Sequence, residues 1–248
     1  MQRYFINEEN VLLDVNKIII KGKDVHHIKN VMRMKIGDEI ICSTEHNSYL
    51  VKITSINDFV ETSIIDKLNK SNELMVEVTI AHGLTTREKR EEVIQKITQL
   101  GALKYIPVLT EKSVVKISDN IEKQTERLNK IAKEASEQSQ REKILKVSLP
   151  ISINELIKLK DEYDVSFIAS TKLDAKINNL NKNLKNKKKI LIVIGPESGF
   201  SEKEENKLME NGFIPISLGK RILRCEVAPL YIMSVISYLD EYGEDDEI

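Results

Sequence analysis

Two rhythms of apolar and polar positions divide this chain. Up to about residue 70 the apolar positions come in short bursts, Lys17-Ile-Ile-Ile20, Glu39-Ile-Ile-Cys42, Tyr49-Leu-Val-Lys-Ile53 and Phe59-Val-Glu-Thr-Ser-Ile-Ile65, punctuated by Gly22 and Gly37-Asp38. Bursts of this length between turn residues predict strands at the spacing of a small β-barrel, with one helix over residues 24 to 34. The polar stretch Lys67-Leu-Asn-Lys-Ser-Asn-Glu73 predicts a linker, which sets domains at 1–70 and 71–248. Beyond it, strands predicted over 76–81, 105–109, 165–169, 190–194 and 214–218 alternate with helices over 87–100, 120–139, 201–211 and 228–241. That alternation predicts an α/β domain on a largely parallel sheet. In helix 120–139 the residues Leu128, Ile131, Ala132 and Ala135 form one apolar stripe. In helix 228–241 Leu230, Tyr231, Met233, Ile236 and Tyr238 cover more than one stripe, as expected of a helix buried against its own domain and a second copy.

The most informative stretch is Ile190-Leu-Ile-Val-Ile-Gly-Pro-Glu-Ser-Gly-Phe200, followed by Leu218-Gly-Lys-Arg-Ile-Leu-Arg-Cys-Glu-Val-Ala228. A run apolar at every position suits a strand covered on both faces. Gly195-Pro196 ends it, and Ser201 with Glu204 has the spacing of a capping box for the next helix. The loop then lies at the carboxyl edge of the sheet, where α/β folds bind ligands. Neither glycine turn has the dinucleotide or P-loop pattern.

These two segments, together with Arg3-Tyr-Phe5, His26-His-Ile-Lys-Asn-Val-Met-Arg-Met34, Gln95-Lys96, Leu100-Gly101 and Ile131-Ala-Lys-Glu-Ala-Ser-Glu-Gln138 with Arg141, occur in one order from the first residues to the last helix. In that order they resemble the ribosomal RNA small subunit methyltransferase E family of the SPOUT superfamily. The resemblance implies an amino-terminal PUA-like β-barrel that contacts RNA, and a carboxyl-terminal α/β domain with a parallel sheet and a trefoil knot near 165–238. It implies S-adenosyl-L-methionine as cofactor, held by Ala169, Ser170 and Thr171, by Ile194, Gly195, Pro196 and Glu197, and by Leu218, Gly219, Arg221, Ile222, Leu223 and Arg224. The implied reaction is methylation of uridine N3 in 16S rRNA, on the assembled small ribosomal subunit, by a homodimer. Arg224 is the expected catalytic cation, Glu226 the carboxylate beside it, and Arg3, His27, Arg33 and Lys35 the expected RNA contacts.

Composition bounds this picture. The formal charge is −1, but six acids, Asp240, Glu241, Glu244, Asp245, Asp246 and Glu247, crowd the last nine residues, and with these set aside basic residues outnumber acidic ones by five. That balance permits RNA binding without predicting it. Cys42 and Cys225 are too few for a disulfide framework, and His26, His27, His46 and His82 lack metal-ligand spacing, so no metal is expected. No apolar run approaches the roughly 18 residues of a membrane span, and the first residues lack a signal-peptide core, so the expected location is the cytoplasm.

Five positions depart from the family pattern: Thr86 for Lys, Gln99 for Glu, Gln140 for Gly, Ser198 for Gly and Val227 for Thr. Two rival readings follow, an RNA methyltransferase with another target and a noncatalytic RNA-binding protein on the same fold.

Overall fold

A computed structural model describes residues 1–69, 71–113, 120–170, 186 and 188–243. The chain forms two compact units, one of Met1–Glu73 with Ser136–Lys143 and one of Leu74–Ala135 with Ile144–Ile248.

The first unit is built on a six-stranded sheet. Its strands are β1 (Arg3–Phe5), β2 (Val11–Leu12), β3 (Lys17–Ile20), β4 (Glu39–Ser43), β5 (Ser48–Ile56) and β6 (Val60–Leu68), in the spatial order β1-β4-β5-β6-β3-β2. Alternate residues of these strands, among them Tyr4, Ile18, Ile20, Ile40, Val51, Ile53 and Val60, meet in one core. A two-residue period on a half-buried sheet produces this sorting. The helix expected over 24–34 is shorter and changes type part-way. It comprises α1 (Lys23–His26), a single π-turn over His27–Val31, and a stop at Arg33, whose φ is +53°. Val25 and Ile28 are buried, but Val31 and Met32 are exposed, so the buried apolar face does not continue through the end of the helix.

The expected linker also changes character. β6 runs to Leu68, and Glu73 is buried against Arg141, Oε2 to Nη2 2.5 Å, while accepting from the backbone amides of Glu142 at 2.8 Å and Lys143 at 3.0 Å. Burial works to raise the Glu73 carboxyl, and these donors overturn it, so Glu73 titrates below the ordinary carboxyl range.

The second unit is an all-parallel sheet of β7 (Glu77–Gly83), β8 (Lys104–Leu109), β9 (Lys146–Val147), β10 (Ile151–Ser152), β11 (Val165–Ala169), β12 (Lys189–Ile194) and β13 (Ile214–Ile216). The order is β10-β8-β7-β12-β11-β13, with β9 also on β8. Its described helices are α2 (Arg87–Gln99), α3 (Ile121–Gln138), α4 (Ile153–Leu159), α5 (Glu202–Glu210) and α6 (Ala228–Tyr242). Ile190, Ile192 and Ile194 of β12 join one core with Val93, Ile94 and Ile97 of α2 and Ile232, Met233 and Ile236 of α6. Leu191 and Val193 join another with Leu156 of α4 and Leu208 of α5. Both faces of β12 are thus covered, which explains its uninterrupted apolar run; each such side chain contributes roughly 1.5–3 kcal/mol by leaving water. α5 begins as its sequence predicts: Ser201 Oγ accepts from the Glu204 amide, and Glu204 returns the bond to the Ser201 amide.

Candidate functional site

Strand register gathers the loops that the sequence singles out. Ile194 of β12 pairs with His82 of β7, Val193 pairs with Ile168 of β11, and Ala169 pairs with Ile216 of β13. Four carboxyl strand ends therefore lie side by side, and the chain leaves those of β11, β12 and β13 at residues 169–170, 195–200 and 217–227. Thr171, expected in the first of these loops, lies outside the described residues.

Glycine permits the close approach at this edge. A Cβ on Gly83 would lie 2.3 Å from Pro196 Cδ, and one on Gly195 would lie 3.0 Å from Gly199 Cα. Gly199 closes the turn with φ +66° and donates to the Pro196 carbonyl at 2.9 Å. In the third loop Gly219 has φ +108° and nothing within 4 Å of where a Cβ would stand. Its need is conformational, and it leaves open space that a ligand can use. Ser217 braces this turn: its Oγ donates to the Gly219 carbonyl at 3.2 Å and accepts from the Gly219 amide at 3.3 Å. Ile222 is 87% exposed, an apolar side chain held out over the loop.

The charged residues form one constellation. Lys89, in the first turn of α2, reaches Glu197 Oε1 at 3.0 Å and Glu226 Oε2 at 3.7 Å. Cys225 Sγ donates to Glu226 Oε2 at 3.2 Å, and Arg224 Nη1 stands 3.9 Å from Glu226 Oε1 with its side chain 85% exposed. Burial pushes the Cys225 thiol up to about 12, helped by the neighbouring Glu226 carboxylate, so this cysteine stays a thiol. Burial also acts to raise both glutamates. In Glu197 a backbone hydrogen bond and Lys89 offset it; in Glu226 a backbone hydrogen bond, the thiol, Lys89 and Arg224 do so, and both carboxyls end below their ordinary range. The constellation at neutral pH is two carboxylates, one ammonium and one outward guanidinium.

Under this edge His82 is fully buried, with Nδ1 3.0 Å from the Tyr105 hydroxyl. Burial lowers its imidazole to about 4, so it is neutral. The sequence places His82 just after a strand, whereas it is an interior residue of β7, which extends to Gly83. Lys89, Cys225 and Ser217 are not prominent in sequence. Lys89 stands 108 residues from Glu197, and only the fold joins them.

In the first unit, His27 is half-buried with Nδ1 3.0 Å from the Tyr4 hydroxyl, while Arg33 and Lys35 are exposed. Arg3 corrects expectation. It is 3% exposed, and its Nη1 donates to Ser43 Oγ at 2.8 Å and Ser48 Oγ at 3.1 Å, which makes it an internal brace between β1 and the β4–β5 hairpin. Among the described residues no group of three or more metal-ligating side chains occurs, and no helix is long and apolar enough to cross a membrane.

A parallel sheet whose carboxyl edge carries glycine turns is the frame of a ligand-binding α/β domain, and comparison places it among RNA methyltransferases. Residues 72–237 match the family model of the RNA methyltransferase domain, and residues 20–63 that of the RNA methyltransferase PUA domain. The chain is 39% identical to a ribosomal RNA small subunit methyltransferase E of Bacillus subtilis, with 100% of each chain covered. It is 31% identical to one of Mesomycoplasma hyopneumoniae, covering 94% of this chain and 98% of the relative. The crystal structure of a ribosomal RNA small subunit methyltransferase E from Neisseria gonorrhoeae bound to S-adenosyl methionine superposes with a TM-score of 0.86 at 26% identity, covering 96% of this chain and 98% of that one. The chain belongs to the ribosomal RNA small subunit methyltransferase E family.

Proposed function

We propose that this protein methylates N3 of a uridine in 16S rRNA, with S-adenosyl-L-methionine as methyl donor. The observation that carries this reading is the convergence of the 169–170, 195–200 and 217–227 loops at one sheet edge, with Arg224 projecting from the last of them. The open space at Gly219, the exposed Ile222 and the backbone freed by Gly195 and Gly199 fit a cofactor held largely by main-chain groups. When bound, the cofactor supplies an electrophilic methyl group on a sulfonium.

The protein must then position N3 and manage its proton. Neutral N3 has no lone pair in the plane of attack, so its proton leaves before or during transfer and negative charge develops on the uracil ring. A permanently charged guanidinium with several fixed donors suits that charge. Glu226 orients Arg224 from 3.9 Å while leaving it outward, where a base can reach it. Arg33 and Lys35 of the first unit are exposed and suit phosphate contacts, and His27 is partly available beside them. Family likeness supports a trefoil knot in the 165–238 segment, the assembled small subunit as substrate, and hence a cytoplasmic site of action.

A homodimer completes the proposal. Tyr231, Tyr238 and Tyr242 of α6 are 42, 58 and 57% exposed, an aromatic face on a helix whose other side is core. Light scattering at micromolar concentration should return twice the chain mass; a concentration-independent monomer mass refutes the dimer. The function is tested by mass mapping of modified nucleosides in 16S rRNA from cells with and without the gene. Loss of one N3-methyluridine is expected. An unchanged map overturns the reading, and loss of a different modification favours the rival target.

A further inference from the structure

We propose that Lys89 is a positioning residue that clasps two cofactor loops together through their glutamates, an inference that rests on the methyltransferase reading above. Glu197 belongs to the loop after β12 and Glu226 to the loop that enters α6. No backbone hydrogen bond among the described residues joins these two loops directly. The Lys89 ammonium contacts both carboxylates, at 3.0 and 3.7 Å, from a third element. It is only partly exposed, with a third of its side chain in solvent, and a lysine at the start of a helix opposes the helix dipole, so helix formation does not select it.

Charged and titratable groups approach the clasp from several elements, among them Lys112, whose Nζ donates to the Phe200 carbonyl of the β12 loop at 3.1 Å. From α2 come Lys89 and, deeper, Arg90; from β7 the neutral His82; from the α6 loop Arg224, Cys225 and Glu226; from the β12 loop Glu197. His82 and Cys225 are uncharged near neutrality. Arg224 faces solvent and touches Glu226 at 3.9 Å without reaching Glu197. Among the described residues Lys89 is thus the one cation that touches both carboxylates. Without it two like charges face each other a few ångströms apart, and such pairs either separate or take up a proton. Separation would spread the loops whose spacing defines the pocket.

The test is calorimetric titration of S-adenosyl-L-methionine into full-length protein between pH 5.5 and 8.5, for wild type, Lys89→Met, Lys89→Arg and the double variant Lys89→Met/Glu226→Gln. Wild-type affinity should vary little with pH. Lys89→Met should bind roughly 10- to 100-fold more weakly at pH 8, the size of a like-charge neighbour's effect on a carboxyl, and recover as the pH falls and one carboxylate is protonated. Removing one charge in the double variant should restore affinity at pH 8 without acid, and Lys89→Arg should retain most of it. A lysine that only packs against α2 gives neither the pH dependence nor the rescue. If wild type binds and Lys89→Met binds equally well at pH 8, the clasp is refuted. Tighter binding by Lys89→Met also refutes it, since the added negative charge would then act only by attracting the cationic sulfonium. If wild type itself does not bind, the methyltransferase reading fails instead.

Discussion

Arg224 and Gly219 show how much at this site depends on single positions. Arg224 is anchored at its backbone, where its carbonyl accepts from the amides of Val227 at 2.9 Å and Ala228 at 3.0 Å, while its guanidinium projects outward. Because backbone and side chain have separate duties, Arg224→Ala should leave cofactor affinity nearly intact and slow single-turnover methyl transfer by about 100-fold, the order seen for loss of one oxyanion-type donor. Arg224→Lys should recover part of that rate, since a point charge replaces a planar fork. Methyl transfer by Arg224→Ala at the wild-type rate would make the residue a brace only. Gly219→Val is the converse case. The side chain finds room, but φ +108° does not suit a β-branched residue, so the turn should reshape and calorimetry should show at least tenfold weaker cofactor binding. The melting temperature should hardly move, because residue 219 is exposed. Ser198, where the family has glycine, carries no such strain: among non-glycine residues φ is positive at Asn16, Arg33, Gln140 and Asn186, and not there.

At the scale of elements, the end of α3 explains another departure. Gln140 has φ +59°; its amide donates to the Glu137 carbonyl at 3.3 Å, and the Arg141 amide donates to Ser136 at 2.9 Å. This is a Schellman stop with glutamine at the position that favours glycine. The left-handed conformation costs a non-glycine residue about 1 kcal/mol, partly offset here by Gln140 Nε2 bonds to the carbonyls of Met1 at 3.1 Å and Glu137 at 3.2 Å. Gln140→Gly should therefore change urea-unfolding stability by less than about 1 kcal/mol, far below the effect of a core truncation. Long elements were legible in sequence because their period is long enough to register: β12 by its unbroken apolar run, α3 by its stripe, α5 by its capping box. β9 and β10, two residues each, carry no period. α4 is missed although Ser152 and Glu155 form the same capping box that marks α5. The backbone loops of the candidate site were readable from their glycines, whereas Lys89, His82 and the internal role of Arg3 depend on residues brought together by folding.

For the whole molecule, the buried Glu73–Arg141 pair in the first unit, with side chains 9 and 4% exposed, is one contributor to acid stability. Because the folded-state carboxyl lies below its unfolded value, its stabilisation is present above the ordinary glutamate range and is lost as pH falls through the folded value. Unfolding midpoints should decline below about pH 4.5, and Glu73→Gln should flatten that decline. At pH 7, Arg141→Met should cost roughly 3–5 kcal/mol, because it strands a buried carboxylate. A steeper acid decline in Glu73→Gln than in wild type would contradict the assignment. The strand order of the second unit has a consequence during synthesis. β7 and β11 both wait for β12 between them, yet β12 is made last of the three, 20 residues after β11 ends. A nascent chain that stops before Lys189 therefore exposes the edges of two apolar strands, which are templates for pairing with another chain. Until β12 is released, this chain depends on the tunnel and on whatever covers those edges outside it.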